Sequence, residues 1–390
     1  MAKEKEGQER KRGSLKRVMV CRCERERGKK RFHRSIAEKL RKYEVRAEGY
    51  EFIPAMMHLL KRYCGDIPEN KMSKLDADLA KALNAIPTAR KILEDVVKKH
   101  EEIPRELKRR AFSPKYLDLQ VEKAIEVEEM GNIVHRARTL QNRTVRDITQ
   151  AAAVGRVFGK LSPSGKEQKC CCCCCKEPGE PAPSPQTNPA PPNKYELTFS
   201  HLYCVDESDP EWWGSDEPYV VFGVISEEMA ESGTPAWGFH TPVYEDVDDG
   251  DRRPTSGDEN LRLFGYTGPK AIDSSVLITA ICMENDLGNV SDTTDAVRTA
   301  LTAVAKAGAS AGGVAGWIVA GVSVISIGVT YLIDLIGADD QIGSSIALAL
   351  TEPEADAKTS SVNPYIFPPL HFDGGDDDGI YDVYLKLERK

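Results

Sequence analysis

The sequence predicts a multidomain α + β protein: an N-terminal helical bundle and a C-terminal antiparallel β-sandwich with an inserted apolar helical hairpin. Three observations predict it. Apolar residues recur at helical spacing between residues 32 and 161, and alternate with polar ones in short runs after 194. Between these halves, residues 162–193 hold a run of cysteines and then seven prolines in EPGEPAPSPQTNPAPPN, an extended linker. Inside the second half, Ala307 to Ile333 passes 27 residues without a charge.

Charge divides the 390 residues at the same place. Residues 1–169 hold 41 Lys+Arg against 25 Asp+Glu, a net of +16, and residues 170–390 hold 12 against 36, a net of −24. The whole-chain value of −8 conceals this. The halves attract each other, and each presents its own sign to partners.

Taken in order, residues 1–31 read as a basic disordered arm, KRGSLKRVMVCRCERERGKKR, suited to phosphate-rich surfaces. It has no apolar run behind its charges, so no secretory signal is read. The expected location is cytoplasmic or peripheral to a membrane. Residues 32–161 read as a basic α-helical domain. Ser73 caps a helix carrying Leu75, Leu79 and Leu83. Pro87 precedes a helix with Ile92, Leu93, Val96 and Val97 on one face. Ser113-Pro114 begins a long candidate reaching about Leu140, with Gly131 as a possible interruption, and Thr144 caps a last helix to Phe158. Nucleic acid or a protein partner is the expected ligand of this half.

The run Cys170, Cys171, Cys172, Cys173, Cys174 and Cys175 leaves three readings open: lipidation, low complexity without a role, and metal or redox chemistry. The run resembles the palmitoylated string of cysteine-string proteins, which implies stable anchoring by several acyl chains.

The acidic domain, residues 194–390, begins with alternating Tyr195, Leu197 and Phe199, followed by YVVFGVI, SVLITAIC, IGSSIALAL and IYDVYLKL. These are short strands of an antiparallel sandwich. The insertion, residues 291–337, starts with a helix carrying Ala296, Val297, Ala300, Leu301 and Val304. Next come Gly308, Gly312 and Gly316 at a four-residue spacing, with Trp317 and Gly328. Small residues so spaced form a face for close helix contact, a glycine zipper, and so for a homo-oligomer. The length suffices to cross a bilayer. Yet six glycines each cost roughly 1 kcal/mol against Ala in a helix. Three readings follow: a buried core helix, a membrane span, and a hairpin stored folded that enters a membrane or forms a pore.

Three acidic loops punctuate this half: CVDESDPEWWGSDEPY, YEDVDDGD and FDGGDDDG. They supply Asp206 and Asp216, then Asp246, Asp248 and Asp249, then Asp376 and Asp378. Carboxylates at this density repel one another unless a cation joins them, and Ca²⁺ takes six to eight oxygens in flexible geometry. Solvated acidic turns are the plain alternative. Of the common catalytic signatures, neither HExxH nor a P-loop occurs.

LYCVDESDPEWWGSDEPYVVFGV resembles the first calcium loop and following strand of C2 domains, through Asp206, Gly214, Ser215, Asp216, Pro218, Tyr219 and Val220. TPVYEDVDDGD is loosely similar to the segment leading into a later C2 strand. The resemblance covers about residues 202–256 and implies Ca²⁺-dependent binding to an anionic membrane surface. Trp212 and Trp213, within the first loop, would then be interfacial wedges. The expectation is a non-enzymatic, Ca²⁺-responsive, membrane-associating protein. The alternative is a soluble interaction or scaffold protein whose hairpin is core.

Overall fold

Helices and two antiparallel sheets together make a mixed α + β structure. The computed structural model describes residues 51–65, 67–148, 192–207, 217–273, 275–285, 290–309, 326–336, 340–374 and 379–390. The basic arm, the cysteine run and almost all of the Pro-rich segment lie outside the described residues.

The N-terminal helices are α1 (Phe52–Cys64), α2 (Lys74–Asn84), α3 (Ala89–Glu102), α4 (Arg105–Ala111), α5 (Pro114–Leu117) and α6 (Val127–Ile148). Then follow β1 (Tyr195–Asp206), β2 (Pro218–Ser226), α7 (Glu227–Ser232), β3 (Trp237–His240), β4 (Arg252–Arg253), β5 (Leu261–Phe264) and β6 (Ser275–Glu284). After these come α8 (Val290–Ala309), α9 (326–336), β7 (Asp340–Thr351), α10 (Glu352–Ser361), β8 (Tyr365–Ile366), β9 (Leu370–Asp373) and β10 (Ile380–Arg389).

The first sheet runs β4-β1-β10-β8, with β5 on β1 and β9 on β10. Its strands alternate: Tyr195, Leu197 and Phe199 on β1 and Tyr381, Val383, Leu385 and Leu387 on β10 are all fully buried. The residues between them are polar or half-buried, Glu196, Thr198 and Ser200 on β1 being themselves covered, and that polar–apolar alternation is why the period of two was legible. The second sheet runs β3-β2-β6-β7. Here every residue of β2 is buried, because both faces are covered. Val220, Phe222 and Val224 join the core shared with the first sheet. Tyr219, Val221 and Ile225 join a second core made with helices.

That second core unites parts far apart in sequence. It contains Phe52, Leu59, Leu79 and Leu93 from the N-terminal helices, and also Val297, Leu301 and Val304 of α8. α8 packs on β2, β3 and α7 on one side and on α1, α2, α3 and α6 on the other. Its alanines 296, 300, 303, 305 and 307 are all at most 1 % exposed. Close approach is literal at Gly223 of β2, where a Cβ would stand 2.6 Å from Leu301 Cδ2. Polar ties finish the contact: Arg298 Nε donates to Ala236 O at 2.8 Å, and Thr88 Oγ1 donates to Asp295 Oδ2 at 2.9 Å.

Two helix expectations change. The Ser73 cap stands, as a capping box with Asp76. The long candidate from Pro114 does not: α5 ends at Leu117, and the helix resumes at Val127, passing through Gly131. The intervening carbonyls of Val121, Lys123 and Ile125 accept from Arg62, His58 and Ser73. These three carbonyls serve buried donors on α1 and at the start of α2 in place of a helical ladder. Thr144 lies within α6 and starts no new helix, and residues beyond 148 fall outside the described part.

Among the described residues no helix is long and apolar enough to cross a membrane. A Cβ at Gly328 on α9 would meet Val304 Cγ2 at 3.0 Å and Phe52 Cε1 at 3.2 Å. Gly328→Leu is therefore expected to destabilise the fold by about 1–3 kcal/mol through overpacking. The midpoint of urea unfolding reads this, and an unchanged midpoint would exclude close packing there.

Candidate functional site

Strand register gathers the acidic segments at one end of the first sheet. Asp206, closing β1, pairs with Ile380 at the start of β10, and Ile380 pairs with Asp373 at the end of β9. The β9–β10 connection is closed by Gly374 N donating to Gly379 O at 2.9 Å. The segment preceding β4 folds against the same strand end, where Cys204 N donates to Asp251 O at 2.8 Å and Gly250 N to Cys204 O at 3.1 Å. The second sheet brings its own carboxylates there. Pro218 at the start of β2 pairs with Glu284, which pairs with Asp340. Gly343 (φ +68°) lets β7 pass so close to β9 that a Cβ would stand 2.9 Å from Asp373 O.

The individual carboxylates turn largely to backbone and arginine. Asp249 Oδ1 accepts from Glu207 N at 2.7 Å, joining the first and second acidic segments. Asp251 Oδ2 accepts from Asp248 N at 3.3 Å and pairs with Arg253 at 2.9 Å. Arg253 also donates to the carbonyl of Asp246, a residue at φ +52°. Asp206, Asp246, Asp248 and Asp249 are exposed. Among the described residues no group of three or more His, Cys, Asp or Glu is arranged to hold a metal ion. Those described do not by themselves fit a Ca²⁺ cage of six to eight oxygens. Asp216, Asp376 and Asp378 lie outside the described residues, as do Trp212 and Trp213.

Of the glycine face, Gly312 and Gly316 fall outside the described residues, with Trp317. Gly328 is a tight contact, while a Cβ on Gly308 would have no described neighbour within 4 Å. Close packing is thus seen at one of the two described positions.

A Ser, a His and an Asp do meet on the outer face of the first sheet. Ser200 Oγ donates to Asp258 Oδ1 at 2.8 Å and lies 3.0 Å from His201 Nδ1. In a triad the Asp would orient the His. Here Asp258 binds the Ser instead and is taken by Lys386 at 2.8 Å and Arg252 at 3.4 Å. The hydrogen bonds from Lys386 and Ser200 hold its carboxyl below the usual range. His201 stacks flat on Tyr384 with ring centroids 4.3 Å apart. This is a charge-paired network around a buried serine, with the acid already taken by cations.

Sequence reading missed the polar centre of the helices. Arg62 on α1 is 1 % exposed. Its Nε donates to Asp76 Oδ1 at 3.0 Å and its Nη2 to Asp76 Oδ2 at 2.9 Å and Lys71 O at 2.8 Å, with Nη1 on Val121 O. Burial alone pushes the Asp76 carboxyl up, but the bonds from Arg62 and Ser73 outweigh it and hold it low. A cavity of about 150 Å³ opens beside the pair, lined by Leu59, Tyr63, Met72, Leu79, Asn84 and Arg90. The sequence held no distinct signal for the pair, because Asp76 is already accounted for locally as the capping-box partner of Ser73.

Comparison with protein families, curated proteins and solved structures found no match to this chain.

Removing Arg62 strands Asp76 in the interior. Arg62→Met is expected to cost about 3–5 kcal/mol in urea unfolding, with part recovered by Arg62→Met/Asp76→Leu. A loss below about 1 kcal/mol for the single variant would mean the pair is not structural.

Proposed function

We propose that this is a non-enzymatic interaction protein in which the apolar insertion serves as core and the acidic end of the sheets is the binding face. The observation that carries the reading is the burial of α8 and the inner face of α9. Val297, Leu301, Val329 and Leu332 are fully buried between the second sheet and the N-terminal helices. Apolar surface already removed from water has little left to gain from lipid. In this reading the two sheets form a β-sandwich, and the N-terminal helices form a bundle that covers the inserted hairpin. The basic arm and the acidic end are then faces of opposite sign for partners, with nucleic acid or a second protein as the ligand of the basic half. Against anionic vesicles at pH 7.4 in chelator, the protein lacking residues 1–31 is expected to stay unbound in a flotation assay at physiological salt. Flotation of that variant that persists at high salt would refute the core reading in favour of a constitutive apolar anchor.

A second reading keeps Ca²⁺ as a cofactor at the acidic end and an anionic membrane surface as the partner. The convergence of the loops carrying Asp206, Asp249 and Asp373 on one end of the molecule favours it. A cation joining those loops would relieve their mutual repulsion and bridge to lipid phosphate. Ca²⁺ in excess of its Kd is then expected to raise Tm by several degrees, since a ligand that binds only the folded state stabilises it. Asp206→Asn/Asp248→Asn is expected to abolish that rise. A full rise in the double variant removes both residues from the site.

A further inference from the structure

An aromatic cluster sits at an edge of the second sheet. Trp237 and Phe239 stand two apart on β3, so they share one face of the strand, and both pack against the core shared with the first sheet. Tyr266, from the connection after β5, meets Trp237 edge-on with ring centroids 4.9 Å apart, and its centroid lies 5.9 Å from that of Phe239. Tyr266 is 43 % exposed and the other two rings are half-buried, so solvent reaches the cluster. Lys270 Nζ stands 6.0 Å from the centre of the Trp237 ring. Among the described residues the Trp237 indole N–H and the Tyr266 hydroxyl have no hydrogen-bond partner, and Lys270 Nζ has no ion pair.

The cluster lies beside the point where the Pro-rich segment rejoins the fold. Tyr195 N, at the start of β1, donates to Lys270 O at 2.8 Å, and Lys270 N donates to Tyr195 O at 3.1 Å. Lys270 thus has its backbone on the strand that follows the segment and its side chain near Trp237. Asn193 Nδ2 donates to Asp356 Oδ1 at 2.7 Å and fixes the end from which the segment leaves. Its other end is constrained as well. Ile148 closes α6, which packs on α8 on the helical side of the second sheet, whereas β1 belongs to the first sheet on the opposite side. Residues 149–191 have to go round the second sheet. At one edge β7 packs against β9 and is tied to α9 through Ser345. At the other edge β3 has β2 on one side and, among the described residues, no strand on the other.

We propose that Trp237, Phe239 and Tyr266 are the docking platform for the chain's own proline-rich residues 177–191. Proline-rich chain favours the polyproline II helix, which has three residues per turn and no internal hydrogen bonds, so its carbonyls stay free to accept. Pro178 and Pro181 are three apart, as are Pro189 and Pro192, which puts each pair on one face of such a helix. Aromatic-lined grooves take that face at a small ordering cost, because the helix is preformed. The indole N–H and the phenol hydroxyl supply the donors. Charge matches too: residues 177–191 carry Glu177 and Glu180 and no Lys or Arg, and Lys270 is the cation at the platform. Docked there, the segment covers the edge of β3, which would otherwise be open to pairing with another chain.

The inference stands apart from what the acidic end binds. The test titrates a fluorescent peptide of residues 177–191 with the intact chain and with a chain whose residues 177–191 are replaced by an equal length of Gly and Ser. Sedimentation velocity of both chains accompanies it. A tethered segment competes at an effective concentration of order millimolar, so the replaced chain is expected to bind the peptide about tenfold more tightly than the intact one, with the same oligomeric state in both. Tyr266→Ala in the replaced chain is expected to weaken binding about tenfold, as loss of an aromatic anchor does. Trp237→Phe keeps a ring but removes the N–H, and covers the case in which Tyr266→Ala disturbs the fold; it is expected to weaken binding in the same direction. Equal binding by the two chains would mean that the platform stands open in the intact protein, and overturns the inference. No binding by the replaced chain, or an affinity untouched by both substitutions, overturns it as well. An assembly formed by the intact chain alone would assign the platform to the segment of a second copy, and also overturns it.

Discussion

The architecture depends on one constraint: a helix inserted between two strands whose residues 299–308 are buried on every side. α8 follows β6 and reaches β7 only through α9, so it must lie against the sheet that those strands build. A sheet covers one side of a helix. The other side of α8 carries alanine, valine and buried threonine, and needs a second cover. The N-terminal helices supply it from more than 150 residues away in sequence. Their own apolar stripes, such as Leu75, Leu79 and Leu83, are in turn satisfied by α8 and its neighbours. Neither half completes its core without the other.

Polar groups inside this second core are held by geometry that allows little slack. Arg62 and Asp76 share a buried pair, and the leftover donors of Arg62 draw the carbonyls of Val121 and Lys71 inward. Segment 118–126 gives up helical hydrogen bonds to satisfy them. Such a pair adds little net stability, because desolvation offsets most of the attraction, but it fixes which segments meet. His100 and Tyr331 do the same at the opposite end of α3. Both ties use neutral or internally compensated groups, and this links the packing of the helices to pH.

At the other end of the molecule the first sheet concentrates charge instead of burying it. Antiparallel pairing of β1 with β10, and of β10 with β9, brings Asp206 and Asp373 to one end, beside residues 248–251. Backbone N–H groups and Arg253 absorb part of the repulsion. The polar face of the same sheet spends its Ser, His and Asp on a neutral network around Lys386.

Local pattern by itself determined the elements whose environment is two-sided. β1 and β10 alternate because one face joins the apolar core and the other carries polar residues. Ser73 caps α2 because its side chain answers an orphan N–H a few residues away. The mixed α + β class and the antiparallel strands follow from signals of that range. The long helix expected from Pro114 was a misreading of the same kind of signal, since the donors that draw in the carbonyls of 121–125 sit about 50 to 65 residues away on α1 and before α2. Tertiary structure alone decided that β2 is buried on both faces, that α8 lies between the sheet and the N-terminal helices, and that Asp206, Asp249 and Asp373 share one end. The physical reason is common to all three. Burial is a property of what covers a residue, and the covering groups here come from elsewhere in the chain, where no periodicity records them.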